Sequence, residues 1–297
     1  MSTITHTTTA TQQKKVLGTY GPGSTHWVGD GFPVRNLFPS NGIQLEVSPF
    51  LMLDYAGPQY FKAAAQPRGV GEHPHRGFET VTIAYQGSVA HRDSAGNSGV
   101  IYPGDVQWMT AASGVLHEEM HEAEFTRSGG TFEMIQLWVN LPAANKMSKP
   151  GYQAITKEQI PVVPFATGGH ARIIAGSLDG AGGPAKTFTP LNVWDVELKA
   201  GERVELDVPE GHNTAVVLRK GDATVNGAKL SGEARIATLG QEGGTMVFEA
   251  TVDSALVLLS GEPINEPIAN YGPFVMNTRQ EILQAVEDFN SGRFGQL

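Results

Sequence analysis

The sequence predicts an all-β protein, and three observations carry that expectation. Short runs rich in Val, Ile, Thr, Phe, Tyr and Trp recur along the chain, separated by Gly, Asn, Asp and Ser clusters, as in sandwiches and barrels. The chain holds 36 glycines and 18 prolines, which is high for a helical protein and normal for a turn-rich β protein. Two stretches, VTIAYQGSVAHRD and AVVLRKGDATVNG, echo one another as apolar strand, Gly turn and strand, which suggests a duplicated β unit.

Taken in order, residues 1–13 are polar, Thr-rich and without large apolar groups, so a disordered tail is expected there. From Val16 the Gly/Pro-punctuated GTYGPGSTHWVGDGFPVRNLFP reads as loops between short strands. Ile43–Leu53 has strand character broken at Pro49. Between residues 70 and 140 the runs ETVTIAY, GVIYPGDVQWM and TFEMIQLWVNL give the clearest strands. The stretch from Pro142 to Pro164 is Pro-rich and mixed, as expected of a connection. A second β region follows, with ARIIAGSL, NVWDVELKAGERVELDV, TAVVLRKGDATVNG, ARIATL and SALVLLSGEP. Thr278 and Glu281 form a capping-box pattern, and Ile282, Ala285, Val286 and Phe289 then recur at helical spacing. A short helix over about 279–290 should pack its apolar face on a β domain. The division expected is a tail (1–13), a first domain (14–145) and a second domain (146–297).

Composition limits the chemistry. A chain of 297 residues can form two domains and needs no disulfide to fold. It has no cysteine, which excludes a disulfide scaffold, a thiol nucleophile and cysteine-held metals. The net charge is −9 and no dense Lys/Arg run occurs, so direct nucleic-acid binding is disfavoured. The polar N-terminus is not a signal peptide, and no apolar run is long enough to span a membrane. A soluble, cytoplasmic protein is expected.

Among nine histidines, two groupings stand out: His73-Pro74-His75 and His117-Glu118-Glu119. Residues two apart on a strand share a face, so each pair can converge on one point. Three imidazoles and one carboxylate suit Fe(II), Mn, Ni, Cu or Zn. If the alternation continues past His75 with no bulge at Arg76-Gly77, then His73, His75, Glu79, Val81, Ile83 and Tyr85 share the inner face, and Thr80 and Thr82 the other. His121 has the parity of His117 and Glu119 and could enter the pocket. His6, His26, His170 and His212 read as ordinary surface or core histidines. Trp108, Trp138 and Phe132 read as core, and Arg76 as a rim charge or, second, as a pocket cation that orients an anionic ligand. In the run Glu118, Glu119, Glu122 and Glu124, only Glu119 has a partner at chelating spacing.

These residues also carry a resemblance. Glu72-His73-Pro74-His75-Arg76-Gly77-Phe78-Glu79-Thr80 resembles the first metal motif of cupins in the form typical of the pirin family. Pro103–Ala111 followed by Gly114–Met120 resembles that family's second motif. Gly29–Arg35, Gln136–Leu141 and Tyr271–Thr278 are similar to further pirin segments. The resemblance implies a bicupin: two stacked jelly-roll barrels with a short C-terminal helix, and metal in the first barrel only. The ligands it implies are His73, His75, His117 and Glu119. Cupins more generally often take the carboxylate from the first motif, here Glu79, which stays a candidate close behind the ligands. The second half has His212-Asn213-Thr214 where a ligand pair would be needed.

What the resemblance implies about function is a quercetin 2,3-dioxygenase. A mononuclear metal, Fe(II) first and Mn, Ni, Cu or Zn after it, would bind a flavonol, and O₂ would open the ring with release of carbon monoxide. Glu119 would ligate the metal and accept the proton of the flavonol 3-hydroxyl. Val81, Ile83 and Tyr85 would line the substrate pocket. The alternative is an iron-binding, redox-sensing regulatory protein that binds transcription factors or metabolic enzymes. A cupin isomerase or storage-like protein fits the motifs less well. A monomer is expected.

Overall fold

A computed structural model describes residues 12–40 and 42–297. The expected tail lies outside the described residues except for Gln12 and Gln13, and Gln13 bridges to Thr245 of the second half. The first half contributes β1 (Val16–Tyr20), β2 (Thr25–Val28), β3 (Phe32–Phe38), β4 (Phe50–Phe61), β5 (Gly69–His75), β6 (Phe78–Gln86), β7 (Val89–Asp93), β8 (Ser98–Ile101), β9 (Val106–Thr110), β10 (Val115–His121), helix α1 (Ala123–Ser128) and β11 (Gly130–Asn140). The second contributes β12 (Gly151–Ile155), β13 (Val162–Pro164), β14 (His170–Ala175), β15 (Ser177–Leu178), β16 (Ala181–Gly182), β17 (Leu191–Leu198), β18 (Arg203–Asp207), β19 (Asn213–Val225), β20 (Ala228–Leu239), β21 (Thr245–Ala250), β22 (Ser254–Gly261), β23 (Ala269–Tyr271), β24 (Phe274–Met276) and helix α2 (Arg279–Asn290). The all-β, two-unit expectation is met, and α2 begins at the predicted capping box. The expected strand over Ile43–Leu53 is corrected in its first half, where Gln44–Val47 form a 3₁₀ turn before β4.

The first unit is two facing sheets. One runs β12-β9-β6-β11-β4-β3-β2 and the other β5-β10-β7-β8. The second unit is a nine-stranded sheet in which β19 pairs with β22 along its first part and with β21 along its last residues, so the sheet turns over on itself. Strands also cross between the units. β1 pairs with β20 in the second sheet, and β12 pairs with β9 in the first.

Alternation along the seven-stranded sheet sorts its side chains onto two buried faces. Leu53, Tyr55, Val81, Ile83, Trp108, Ile135 and Leu137 pack in one core with Val193, Ala215, Val217, Val257 and Leu259 of the second unit. Val34, Ala56, Ala84, Phe132 and Met134 pack with Val89 and Ile101 of the facing sheet, inside the first barrel. The interior of the second barrel is a separate core that includes Trp194, Val216, Leu218, Phe248 and Leu258.

The expected parity across Arg76-Gly77 is therefore corrected. The chain leaves one sheet at His75 and enters the other at Phe78, so the alternation restarts at that corner. Gly77 has φ +90°, and a Cβ there would stand 1.9 Å from the Val275 carbonyl oxygen, so only glycine fits the turn. Val81 and Ile83 face the second unit, and Tyr85 packs on the same interface core. The barrel interior instead receives the threonine face of β6.

Arg76 is likewise not a rim charge. It is buried, Nη1 donates to Asp288 Oδ2 of α2 at 2.8 Å, Nε donates to the Ser113 carbonyl at 2.7 Å, and the guanidinium stacks 4.6 Å from the Phe294 ring. Lys146 Nζ braces the same corner through the carbonyls of Gly77 (2.7 Å) and Val275 (3.0 Å). The apolar side of α2, with Ile282 and Ala285, packs on Leu116 of β10, Phe274, Met276 and Phe294.

Candidate metal centre

β5 and β10 pair antiparallel with His117 opposite His73 and Val115 opposite His75. Opposed residues share a face, so the three imidazoles meet on the barrel's inner side. The register then slips, so that Glu119 faces Val70, with one more residue on β5 than on β10. That bulge keeps both Glu119 and Val70 turned into the same cavity.

The rings of His73, His75 and His117 lie with centroids 4.2–4.8 Å apart, and their candidate ligand nitrogens fall within 4.8 Å of one another. His75 Nδ1 and His117 Nε2 are buried with no hydrogen-bond partner among the described residues. Orphaned buried nitrogens are costly unless something binds them. His73 Nδ1 sits 2.8 Å from the Gly71 carbonyl oxygen and donates to it, which leaves Nε2 free. Burial, reinforced by the neighbouring imidazoles, holds His75 and His117 well below the usual histidine range, so both are neutral donors. This donor set fits a divalent transition metal.

Behind His117 stands a second row. His117 Nδ1 is 3.4 Å from His91 Nδ1, and His91 Nε2 is 3.3 Å from Asp93 Oδ2. With His91 donating to Asp93, its Nδ1 accepts from His117, and the free lone pair of His117 is fixed on Nε2. Asp93 is itself held by the backbone N–H groups of Ala95 (2.9 Å) and Asn97 (3.0 Å). Tyr152 stacks on His91 with centroids 4.8 Å apart.

Glu119 is buried and lines the cavity, but it falls outside the tight three-imidazole group. Its Oε1 lies 3.0 Å from Thr82 Oγ1 and accepts from Gln107 Nε2 at 2.9 Å. Oε2 has only the longer bond from Gln136 Nε2, at 3.3 Å. These residues belong to one row across the sheet, Asn36–Asp54–Gln136–Thr82–Gln107, each opposite the next on adjacent strands.

The cavity holds about 300 Å³ and is walled by Val34, Met52, Val70, Met134 and Trp138, with Asp54, Glu119, Gln136, His73 and His75 as its polar groups. Val81, Ile83 and Tyr85, expected to line it, do not. Trp138, expected in the core, is a wall residue whose ring lies 5.3 Å from His75. Trp108 and Phe132 are core as expected.

Glu79 is not near the imidazoles. It accepts from Thr110 Oγ1 at 2.7 Å on the opposite face of β6, and burial raises its carboxyl to about 7. His121 stays in an aromatic cluster, stacked on Phe132 at 4.9 Å, with Nε2 3.0 Å from the Gly31 carbonyl oxygen. Glu118 pairs with Arg92 at 2.5 Å, and Glu122 caps α1. His212 is buried with Nδ1 3.2 Å from Ser260 Oγ.

The residues missed from sequence are Asp54, Thr82, Gln107, Gln136 and Asp93; His91 stands out there only as a histidine near the ligand pairs, with no role. For the first four a signal existed. Each is a polar residue in an apolar strand run, and a buried polar group needs a partner.

Fold and site together define a two-domain cupin whose first barrel carries a three-histidine centre. Residues 31–139 match the Pirin family model, and residues 193–295 match the Pirin C-terminal cupin domain. The chain belongs to the pirin family. It is 56% identical to a Pseudomonas aeruginosa protein named "Putative quercetin 2,3-dioxygenase", over 95% of this chain and 98% of that one. It is 38% identical to Pirin-like protein 2 of Arabidopsis thaliana, over 90% of this chain and 81% of that one. A crystal structure of quercetin 2,3-dioxygenase from Acinetobacter baumannii matches with a TM-score of 0.93 and 53% identity, over 96% of this chain and 99% of that one. Among the described residues no helix is long and apolar enough to cross a membrane.

Proposed function

We propose that this pirin is a metal-dependent quercetin 2,3-dioxygenase, with His73, His75, His117 and Glu119 holding one divalent metal, Fe(II) first. The observation that carries the reading is a set of buried, neutral, unpartnered imidazole nitrogens at one end of an apolar cavity. The names of relatives at 53–56% identity support it. A metal bound there would supply Lewis acidity toward a chelating enol and electron exchange with O₂.

The chain's own residues supply the rest. The Asp93–His91 pair fixes the tautomer of His117. Gln107 holds Glu119 through Oε1, so Oε2, with only the longer bond from Gln136, is the oxygen left to take the proton of the flavonol 3-hydroxyl. Met52, Met134 and Trp138 exclude water around a flat aromatic ligand.

The test is quercetin in air with protein loaded in turn with Fe(II), Mn, Ni and Cu. Loss of the flavonol's visible absorption with matching carbon monoxide is expected with at least one metal. No turnover with any of them overturns the reading and leaves the redox-sensing alternative to be tested by partner capture with and without oxidant.

A further inference from the structure

The cavity contains a second carboxylate that the mechanism does not use. Asp54 is buried, and its Oδ1 accepts from Asn36 Nδ2 at 2.7 Å. Among the described residues it has no other hydrogen bond, although its neighbours on the wall are Val34, Met52 and Met134. The carboxylate has one protein donor and opens onto the cavity, so a hydroxyl brought by a ligand can bond it there. Burial raises its carboxyl above the ordinary aspartate range, with the Asn36 bond acting the other way, which makes it a stronger acceptor.

Its place in the fold sets what it can reach. Asp54 and Thr82 flank Gln136 in the polar row, two strand spacings apart, about 10 Å. Gln136, which stands beside Asp54 in that row, reaches Glu119 Oε2 at 3.3 Å, so Asp54 is the next polar group along the wall beyond the one that touches that carboxylate. A flat ligand whose chelating oxygens meet the imidazoles occupies the same cavity whose wall carries Asp54.

We propose that Asp54 is a specificity-determining residue: it accepts a hydrogen bond from a ring hydroxyl remote from the chelating oxygens, and so selects polyhydroxylated aromatics over bare ones. This rests on the function proposed above.

The test compares anaerobic binding of quercetin and of 3-hydroxyflavone, which keeps the adjacent hydroxyl and keto oxygens but lacks the other ring hydroxyls, to Fe(II)-loaded protein. Wild type is expected to bind quercetin at least about tenfold more tightly, as one charge-assisted hydrogen bond would give. Asp54→Ala should bring that ratio close to one, with the 3-hydroxyflavone Kd within about twofold of wild type and metal content unchanged. Asp54→Asn keeps the shape and loses the charge, and should lower the ratio by about threefold.

A wild-type ratio near one, equal weakening of both ligands, or loss of metal from both variants would overturn the proposal. Turnover of quercetin by wild type with an unchanged ratio in Asp54→Ala overturns this inference and leaves the dioxygenase reading intact. Failure of wild type to bind either flavonol overturns both.

Discussion

The two barrels share an architecture and differ in what fills them. The second is packed with Trp194, Val216, Leu218, Phe248, Leu256 and Leu258, and its strands read as near-continuous apolar runs. The first puts threonine, glutamine, aspartate and histidine on its inner face and keeps about 300 Å³ open. The lesson is that a duplicated β unit can place stability in one copy and chemistry in the other. The apolar face of the first sheet is not idle in this division, because it forms the interface with the second unit.

The hardest blow to this contrast is His117→Ala. It should lower metal content and quercetin turnover by more than about a hundredfold, read by elemental analysis and carbon monoxide release, while the second barrel stays folded. Glu119→Gln comes next. It should keep much of the metal and lose about 10² to 10⁴ in turnover, the usual worth of a positioned base. Full activity in that variant would remove the base role.

Trp194→Ala probes the other barrel. Deleting this fully buried ring should cost about 3–5 kcal/mol in urea unfolding, with metal per folded molecule unchanged. Asp93→Asn is subtler: metal affinity should weaken about 10- to 100-fold in a competition titration, because the His91 and His117 tautomers lose their anchor.

The last test is a pH slope from Glu79. Its folded pKa is raised from 4.5 to about 7, so the folded state binds a proton the unfolded chain has already lost. Stability should therefore fall as pH rises between those two values, and Glu79→Gln should flatten the decline in denaturation curves over that window.

Much of this was legible in the sequence. Turn spacing gave the fold class, the Thr278–Glu281 box gave α2, and residue spacing gave three converging imidazoles. The errors share one cause. Val81, Ile83 and Tyr85 were assigned to the pocket because apolar residues were equated with a barrel interior. In a sheet buried on both sides, that rule cannot say which apolar face is which. The corner at Arg76-Gly77 then reset the alternation, and what shapes it is Val275, far off in sequence. Arg76 was misread for the same reason, since its partner Asp288 is 212 residues away. Asp54 gave no local signal beyond being a charge in an apolar run, and its meaning comes from the strands beside it.

The corner carries a last consequence. His75 ends the strand that Arg76 and Gly77 fasten to residues 273–294, and Pro273 forms part of the cavity wall. All four proposed ligands leave the ribosome in the first half of translation, yet their enclosure is finished only when residue 294 has emerged. The chamber around them therefore depends on residues 273–294, and a chain stopped after the first barrel would carry every donor atom and still lack that wall.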